Sequence, residues 1–552
     1  MKAPATDQKL RGGYYTPDRI ADFLADWAIR CSSDSVLEPS CGDGNILTAA
    51  AATLVARGGS RNELARQLQG VEIDPAEAQK ALDRLASLSL PSADTIWVGD
   101  FLDYCEQSLF SERRFDVAIG NPPFIRYQNF QEEHRAVAFR LLKHAGLRPT
   151  RLMNAWVPFV VASTLLLKPD SGRLAMVIPA ELMQVGYAAD LRRFLTDHFD
   201  KIILITFRKL VFDGIQQEVV LFLGERGGRD GVGIRTIELT DTDDLARFSG
   251  ERLAGNHAND MDHSSEKWTQ YYLNPAELHL LRAFRKDPRL TPASKVMSVD
   301  VGLVTGLNEF FVLTEEQAMA AALMDHTQPI VTRSAHLSGI QFTQDDLAAN
   351  TSQQRPARLL SLPDVPLGQL PDAVQNYILA GEKQGVHQGY KCRIRRHWYV
   401  VPSVWTPDAF MLRQVHAYPK LILNLTEATS TDTIHRVRFH TAQPWQAIIA
   451  AFLNSLTFAF AEITGRSYGG GVLELEPNEA DSLPLPLLNA QELDFDLLDM
   501  LVKRGDIESV LDITDQALLI RGLGLSQGDV TCLRNAWRRL RDRRIHRNHP
   551  GD

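Results

Sequence analysis

Four consecutive residues, Asn121, Pro122, Pro123 and Phe124, carry the pattern with the clearest chemical meaning in this sequence. The side-chain oxygen of Asn121 can accept one hydrogen bond from a planar amino group, and the carbonyl of Pro122 can accept a second. Such acceptors draw electron density onto an amine whose lone pair is delocalised into a ring. Phe124 can stack on that ring, which contributes about 1–3 kcal/mol. The pattern predicts a site for the amino group of a flat, conjugated molecule.

A second set of residues suits a nucleoside ligand. The loop Glu38-Pro39-Ser40-Cys41-Gly42-Asp43-Gly44 follows a short apolar segment, and its glycines permit close approach of a ligand to the backbone. Glu72 and Asp100 end two further apolar segments, where a carboxylate can accept from ribose hydroxyls or an adenine amine. Phe101 can pack beside the adenine ring. The sequence holds no complete GxGxxG or GxxxxGK[ST] motif, which disfavours a dinucleotide or a nucleoside triphosphate.

These residues lie at the ends of predicted strands. Apolar segments at 35–38, 70–73, 95–99, 115–119, 174–178, 201–206 and 218–223 predict strands, and apolar periodicity predicts helices at 75–88, 156–167 and 188–199. The alternation predicts an α/β fold with a doubly wound, mostly parallel sheet and an antiparallel final hairpin. Ligands bind at the carboxyl ends of the strands in such a sheet, so the motifs are expected to share one edge.

Together, the motifs resemble those of class I S-adenosylmethionine-dependent methyltransferases that act on amino groups. By that resemblance S-adenosylmethionine is the cofactor, with residues 38–44 around its methionine part, Glu72 at the ribose, and Asp100 with Phe101 at the adenine. Upstream, Gly13-Tyr14-Tyr15-Thr16-Pro17 resembles an additional cofactor motif, in which Thr16 helps to hold the methionine end. The expected cofactor contacts are Tyr15, Thr16, Glu38, Pro39, Ser40, Cys41, Gly42, Asp43, Glu72, Ile73, Asp100, Phe101 and Asn121.

The order of the motifs narrows the resemblance. The additional motif comes first, then the cofactor loop, then Asn121 to Phe124, and a long segment follows, as in the gamma class of DNA adenine-N6 methyltransferases. The resemblance implies methyl transfer to adenine N6 in duplex DNA, in a restriction-modification or related defence system. The four tetrad residues would be catalytic. Phe124 and Phe212 would stack on the two faces of an adenine extruded from the duplex, because the paired amine inside the helix is inaccessible.

The chain is long enough for more than one domain. Residues 1–245 are predicted to form the catalytic domain, 246–485 a mixed α+β target-recognition domain, and 486–552 a helical C-terminal region. Segments 301–313 and 466–473 resemble target-recognition regions of the gamma class. Alternation of Arg393, Arg395 and His397 predicts a strand with cations on one face. The expected DNA contacts are Arg393, Arg395, Arg396, Arg466, Tyr468 and Gly470.

Composition limits the remaining classes. Five cysteines without CxxC spacing favour a reducing compartment and argue against a zinc cluster, so no metal is expected. The N-terminus has no signal peptide, and no apolar stretch is long enough to cross a bilayer, which favours a cytoplasmic protein without a membrane partner. The cofactor motif begins at residue 13. That position leaves no room ahead of it for a fused nuclease, so a restriction endonuclease would be a separate protein.

Two alternatives stay open. The tetrad is shared with methyltransferases that act on RNA bases or on protein glutamine, so it fixes the type of reaction better than the substrate. A catalytically silent DNA-binding scaffold is the other alternative, because Cys41 and Asn45 differ from the most usual residues of the cofactor loop.

Overall fold

A computed structural model of the chain describes residues 15–88, 94–125, 132–150, 153–209, 211–212, 218–228, 231–247, 258–264, 266–468 and 470–546. The chain divides into two compact units, one within Met1–Pro275 and one spanning Ala276–His546. The predicted motifs for chemistry lie in the first unit, and the expected DNA contacts lie in the second.

The first unit is built on an eight-stranded sheet with the order β3-β2-β1-β4-β5-β7-β6-β8. Its strands are β1 Val36–Glu38, β2 Leu68–Glu72, β3 Ile96–Val98, β4 Val117–Gly120, β5 Arg173–Pro179, β6 Lys201–Phe207, β7 Val219–Glu225 and β8 Gly233–Leu239. All neighbouring pairs are parallel except those of β7, which runs antiparallel to both β5 and β6. The predicted α/β fold, with its antiparallel final hairpin, is confirmed. The strand β8 was not predicted.

Helices connect these strands. They are α1 Asp18–Ala28, α2 Asn45–Ala56, α3 Leu64–Gln67, α4 Pro75–Ser87, α5 Phe101–Phe110, α6 Glu132–His144, α7 Trp156–Leu165 and α8 Ala189–His198. Every residue of β5 and of β7 is buried. The alternation of apolar and polar residues that marks a half-exposed strand is therefore absent from them, as expected for a sheet covered on both faces.

The first unit ends about 30 residues beyond the predicted boundary at 245. Asn259 exchanges two backbone hydrogen bonds with Ile234 of β8, each at 2.9 Å. Trp268 stacks on Phe222 of β7, with ring centroids 6.4 Å apart. These contacts attach residues 258–272 to the sheet, although the sequence there has no strand or helix periodicity that would assign it to either unit.

The second unit contains several small sheets. Its strands are β9 Thr291–Pro292, β10 Met297–Asp300, β11 Val312–Leu313, β12 Thr327–Val331, β13 Gln341–Phe342, β14 Arg358–Leu360, β15 Ala409–Leu412, β16 Gln414–Val415, β17 Leu421–Asn424, β18 Thr429–Ser430, β19 Ile434–Phe439, β20 Arg466–Tyr468, β21 Val472–Glu474 and β22 Pro484–Leu485. The largest sheet has the order β10-β19-β15-β17-β13, and a second has the order β11-β14-β12-β18. This unit is mixed α+β in composition.

The helices of the second unit lie between and after these strands. They are α9 Pro275–Arg285, α10 Asn308–Phe311, α11 Glu315–Ala320, α12 Gln344–Ser352, α13 Asp372–Lys383, α14 Tyr390–Arg393, α15 Trp445–Phe452, α16 Ser455–Thr464, α17 Pro477–Asp481, α18 Phe495–Lys503, α19 Ile507–Thr514 and α20 Gln527–His546, with a π-helix at Asp515–Gly522. The helices after residue 486 belong to the second unit rather than to a separate region. The long α20 packs on α16, where Trp537 contacts Phe458 at 5.2 Å between ring centroids.

Arg544 near the end of α20 forms an ion pair with Glu462 of α16. Its Nη2 lies 2.6 Å from Glu462 Oε1, and both side chains are 2% exposed. Arg544 also donates to the carbonyls of Val415 and Gly471. The arginine-rich end of the sequence therefore includes at least one residue whose position is fixed by the core of the second unit.

No single helix in the described ranges has both the length and the apolar composition needed to cross a membrane. The helices α15 and α16 meet that composition only as a pair bent by 70°. Most residues of both are buried within the second unit.

Glu462→Gln is expected to lower the free energy of unfolding by about 3–5 kcal/mol, because it leaves the Arg544 charge buried without its counterion. Urea denaturation followed by circular dichroism measures the change. Glu508→Gln is the matched control, because Glu508 pairs with Arg538 at 2.5 Å with both side chains well exposed. An exposed pair is worth about 0–1 kcal/mol. Equal unfolding free energies for the two variants would show that the ion pair of Glu462 with Arg544 does not have this role.

Candidate active site

Asn121 follows β4 directly, at the sheet edge where the loop after β1 also lies. Because β1 and β4 are parallel neighbours, their carboxyl ends meet at that edge. The Ser40 hydroxyl donates to the main-chain carbonyl of Asn121 at 3.2 Å. Asn121 and the loop of residues 38–44 therefore line one site.

The segment before α1 enters the same site. Thr16 is buried, and its Oγ1 accepts a hydrogen bond from Asn121 Nδ2 at 3.2 Å. The Tyr15 hydroxyl donates to the Glu77 carboxylate on α4 at 3.1 Å. In the structure Nδ2 of the Asn121 carboxamide faces the Thr16 hydroxyl, and Oδ1 lies on the other side. The acceptor atom of Asn121, Oδ1, therefore points away from Thr16.

The carboxylate of Glu72, at the end of β2, is held by two backbone amides. Gly42 N donates to Oε2 and Asp74 N donates to Oε1, each at 2.9 Å. Gly44 has φ +82°, and a Cβ on it would lie 2.9 Å from Ala81 Cα. Only glycine fits the end of the loop against α4, because a side chain would meet backbone there. The glycine and the carboxylate together fix the course of the loop.

Three further residues that were predicted to contact the cofactor differ in exposure. Cys41 is buried, and burial raises the pKa of its thiol well above the usual range. Asp43 pairs with Arg84 of α4 at 2.7 Å. Ile73, beside Glu72, is 54% exposed. An exposed aliphatic side chain next to a fixed carboxylate offers an apolar surface for a flat base beside an acceptor for hydroxyl groups.

Glu38 is the most deeply buried acid of the site. Its side chain is 2% exposed, and Oε2 has no hydrogen-bond partner among the described residues. Burial raises the pKa of Glu38 well above the usual range, and the nearby carboxylates of Asp43 and Glu72 raise it further. A buried acceptor without a partner is costly unless a ligand supplies a donor or a cation. The ammonium group of a methionine moiety would supply both.

Asp100 follows β3 and begins α5. Its Oδ1 accepts from Leu102 N at 2.8 Å, and its Oδ2 lies 3.1 Å from His134 Nδ1. Burial raises the pKa of Asp100, and His134 opposes that effect. Asp103 lies in the same group, in which one ligand atom from each side chain falls within 4.8 Å of the others. The helix cap and the pair with His134 account for the arrangement of Asp100 without a metal.

Phe101 points away from the open edge of the sheet. It is 2% exposed and packs against Phe159, with ring centroids 5.2 Å apart, and against Tyr104 at 6.5 Å. The sequence placed Phe101 beside an adenine ring. In the structure its ring is covered by other aromatic side chains, because the first residue of α5 faces the helix α7.

The two predicted stacking aromatics lie on one apolar cluster. Phe212 is buried within the main core of the first unit, and Phe124 is partly buried against the same core. Pro122 is also buried. The segments 126–131 and 213–217, which follow shortly after the two rings, lie outside the described residues. The structure thus brings Phe124 and Phe212 to the same cluster, with Phe212 packed as a core residue.

The predicted strand through Arg393, Arg395 and His397 is wrong. Residues Tyr390–Arg393 form the short helix α14, and no strand follows before Ala409. Arg395 turns inward, where Nη2 donates to the carbonyls of Val304 at 3.0 Å and Thr305 at 2.8 Å. Arg393, Arg395 and His397 alternate in the sequence, but the backbone here forms tight turns rather than a strand. These turns bring the Arg395 guanidinium onto the two carbonyls.

The neighbouring cations of that segment face solvent. Lys391 and Arg393 are exposed and form no ion pair among the described residues, while Arg396 lies 3.9 Å from Asp364. Tyr390 and Ile394 are also well exposed. The contacts of Arg395 join this segment to segment 301–313, so two stretches that are far apart in the sequence lie together.

The remaining expected DNA contacts lie on the hairpin of β20 and β21. Arg466 pairs with Glu479 at 3.0 Å. Tyr468 ends β20 opposite Val472, and Gly470 is exposed with φ +84°. Gly302 in segment 301–313 has a packing role, because a Cβ there would lie 2.0 Å from the Thr431 carbonyl oxygen. The glycines in these two segments therefore serve different purposes.

Two family models match the chain. "Eco57I restriction-modification methylase" matches residues 67–212, and "Type II methyltransferase M.Eco57I, C-terminal domain" matches residues 265–519. The type II methyltransferase M.XamI of Xanthomonas campestris pv. amaranthicola is 24% identical over 86% of this chain and 85% of its own length. A tRNA1(Val) (adenine(37)-N6)-methyltransferase of Porphyromonas gingivalis is 28% identical over 21% of this chain and 42% of its own length.

Among solved structures, the type IIL restriction-modification enzyme MmeI in complex with DNA matches with a TM-score of 0.55 at 12% identity. The match covers 95% of this chain and 75% of that one. A likeness at this identity indicates a common fold.

The sheet order, the glycine loop after β1 and the acids that end β2 and β3 define a class I methyltransferase that uses S-adenosylmethionine as methyl donor. The buried Glu38 oxygen, which has no partner among the described residues, and the fixed carboxylate of Glu72 fit the ammonium and ribose groups of that cofactor. Within the class, the chain is similar to the Eco57I restriction-modification methylases and to other type II methyltransferases, which supports its assignment as a DNA methyltransferase.

Cofactor affinity is expected to weaken as the pH falls. Because the pKa of Glu38 is raised, the free protein holds a proton there at a pH where an ordinary glutamate is ionised. The cationic ammonium group binds the carboxylate, so affinity is fully present above the raised pKa and is lost as the pH falls through it. Calorimetric titration with S-adenosylmethionine from roughly pH 7.5 down to pH 5.5 measures this trend, below the usual pKa of the cofactor's amino group.

Glu38→Gln is the control for this titration. It is expected to bind the cofactor more weakly and with little dependence on pH, because its side chain does not titrate. A wild-type affinity that strengthens in acid, or a Glu38→Gln variant that binds the cofactor as tightly as the wild type, would exclude Glu38 as the group that binds the ammonium.

Proposed function

We propose that this protein methylates the N6 amine of adenine in duplex DNA, with the adenine extruded from the helix, as a gamma-class enzyme. The observation that carries the proposal is the direction of the Asn121 carboxamide. Its Nδ2 donates to Thr16 Oγ1, so Oδ1 is the end that can accept a hydrogen bond from an incoming amine.

Two acceptors would hold the planar amine. Asn121 Oδ1 takes one N–H, and the carbonyl of Pro122 takes the other. Each acceptor polarises an N–H bond and shifts electron density onto the nitrogen. The lone pair of the nitrogen is then more available for attack. The carbonyl belongs to a buried proline whose ring restricts the backbone, so the second acceptor is as well fixed as the first.

When bound, S-adenosylmethionine supplies a methyl group on a positively charged sulfur. Glu38, Glu72 and Asp100 would hold its ammonium, ribose and adenine parts, and Asp100 would accept from the adenine amine in place of His134. The N6 nitrogen of the target forms the new bond to the methyl carbon as the bond from carbon to sulfur breaks. The proton leaves N6 after methylation and passes to water, so the chain needs no general base.

Stacking would hold the extruded base. Phe124 lies beside the two acceptors, and Phe212 lies on the same apolar cluster. Stacking of a base on one aromatic ring contributes about 1–3 kcal/mol, which offsets part of the cost of unstacking it from the duplex. Phe212 would have to leave its core position to contact the second face of the base.

The second unit supports DNA over RNA or protein glutamine as the substrate. The model for the M.Eco57I C-terminal domain spans most of that unit, whereas the similarity to the tRNA methyltransferase is confined to about a fifth of the chain. The silent-scaffold alternative rests on Cys41 and Asn45. Cys41 is a buried loop residue, and Asn45 is hydrogen-bonded to the segment that carries Thr16, so neither removes a contact from the site. We infer a modification role, with any restriction endonuclease encoded separately.

The direct experiment supplies the purified protein with methyl-labelled S-adenosylmethionine and, in separate reactions, duplex DNA, structured RNA or a release factor. Label is expected in DNA alone, as N6-methyladenine after hydrolysis to nucleosides. Sequencing the DNA of an expressing host with detection of modified adenines then gives the recognition site. Label confined to RNA or protein, or found on another base, would overturn the proposal.

Asn121→Ala is expected to lower kcat by at least about 100-fold, because it removes an acceptor that acts on the reacting nitrogen. Affinity for duplex DNA should stay close to that of the wild type, since target recognition depends on the second unit. Single-turnover methylation and fluorescence anisotropy measure the two quantities. A variant with nearly wild-type kcat would exclude Asn121 as the acceptor.

The double variant Lys391→Ala, Arg393→Ala is expected to weaken DNA binding at all sequences. Each lost phosphate contact reduces the slope of log affinity against log salt by about 0.9. Arg521→Ala is the matched control in the same unit, because Arg521 is exposed but paired with Glu492 at 3.0 Å. An unchanged salt slope in the double variant would exclude this surface as a DNA contact.

Arg395→Ala should instead lower the unfolding free energy of the second unit, since Arg395 holds the Val304 and Thr305 carbonyls.

A further inference from the structure

Asn45 joins three parts of the first unit through one carboxamide. It is the first residue of α2, directly after the cofactor loop. Its Nδ2 donates to the Thr16 carbonyl at 2.7 Å and to Asp18 Oδ1 at 2.9 Å. Its Oδ1 accepts from Arg84 Nη1 of α4 at 2.7 Å. Arginine can only donate, so this contact fixes which end of the carboxamide is oxygen.

The partners of Asn45 lead directly to the reacting groups. Thr16 and Asp18 lie on either side of Pro17 and fasten the chain just before α1. The hydroxyl of Thr16 is the acceptor for Asn121 Nδ2 at 3.2 Å. Arg84 also holds Asp43 of the cofactor loop, at 2.7 Å from its Oδ2. A continuous series of hydrogen bonds thus runs from Arg84 through Asn45 and Thr16 to Asn121.

This series bears on the orientation of the Asn121 carboxamide. The oxygen and nitrogen of a carboxamide have nearly the same shape, so packing alone does not orient Asn121. A reversed carboxamide would present N–H donors to an amine that itself donates. In the structure the Thr16 hydroxyl accepts from Asn121 Nδ2, so the observed orientation depends on where that hydroxyl lies, and the Thr16 backbone carbonyl is tied to Asn45.

We propose that Asn45 is a positioning residue for methyl transfer. It holds Thr16 so that the Thr16 hydroxyl keeps Asn121 Oδ1 directed at the substrate amine. This inference rests on the proposed function, because it assumes that Asn121 accepts from that amine. Its role is distinct from that of a residue that merely stabilises the fold, since its effect passes through the orientation of one reacting group.

Asn45→Asp is the most informative variant. It keeps the size of the side chain and the acceptor for Arg84, but it turns an oxygen toward the Thr16 carbonyl and the Asp18 carboxylate, where Nδ2 donated before. Repulsion should displace Thr16. At saturating cofactor and DNA, kcat is expected to fall about 10- to 100-fold. The dissociation constant for duplex DNA should not change, and that for S-adenosylhomocysteine should rise by a smaller factor than kcat falls.

Two further variants separate positioning from general destabilisation. Asp18→Asn in the Asn45→Asp background restores a donor to one of the two opposed oxygens and should recover a substantial part of kcat. Asn350→Asp is the matched control in the second unit. Asn350 likewise accepts from an arginine, Arg355, and donates to a backbone carbonyl, that of His336. It should leave kcat unchanged. Thermal unfolding of all variants shows how much folded protein each assay contains.

Each outcome decides the inference. A wild-type kcat in Asn45→Asp would overturn it, and so would a loss of kcat that only follows the fraction of unfolded protein or that the Asp18→Asn change does not relieve. If the wild-type protein places no methyl group on adenine in DNA, the proposed function fails instead. The calorimetric binding of S-adenosylhomocysteine to the Asn45 variants is independent of that result and still reports whether Asn45 organises the cofactor side of the site.

Discussion

The parallel pairing of β1 with β4 is the constraint on which the site depends. Val36 lies opposite Val117, and Leu37 lies opposite Ala118. Parallel neighbours release their chains at the same edge, so the loop of residues 38–44 and the tetrad begin side by side. Since side chains alternate between the two faces of a strand, a slip of one residue in this pair would turn buried side chains over and separate the two loops. Both strands are buried throughout, so a slipped register would require repacking on both faces of the sheet.

The charges at this edge are arranged in two ways. Glu72 and Asp100 are acids whose oxygens accept backbone N–H bonds, so their positions are set by the protein itself. Glu38 is buried among other acids, with a raised pKa and one oxygen without a partner in the described structure. Burial of such a group costs stability unless a cation compensates it. The site therefore gains most from a ligand that carries its positive charge at Glu38 and neutral polar groups elsewhere.

The basic residues of the second unit have two different roles. Some arginines hold the backbone in place, and other cations are exposed and available to a ligand. Arg395 and Arg544 point inward, and each donates to backbone carbonyls of other segments. Lys391 and Arg393, in the same segment as Arg395, are exposed to solvent. An inward arginine in a basic cluster can thus fix the shape of the cluster while its neighbours provide the charge. Counting cations in the sequence does not distinguish the two roles.

The sequence by itself determined the fold class and the order of the motifs along the sheet edge, and its resemblance to class I methyltransferases indicated the cofactor. Strand and helix periodicity, glycine spacing and an acid at each strand end depend only on residues that are close together in the chain. Such patterns can be recognised without knowledge of the tertiary structure. They also placed Glu38 and Glu72 at the sheet edge, next to Asn121.

Tertiary structure decided what depends on residues far apart in the chain. The bonds of Asn45 to Thr16 and Arg84 span 29 and 39 residues, and no spacing rule anticipates them. The burial of Phe101 follows from its packing on Phe159, and the inward turn of Arg395 follows from carbonyls some 90 residues earlier. The boundary after Pro275 depends on the pairing of Asn259 with β8. A side chain's partner is set by the whole fold, so its role could be read only once the fold was known.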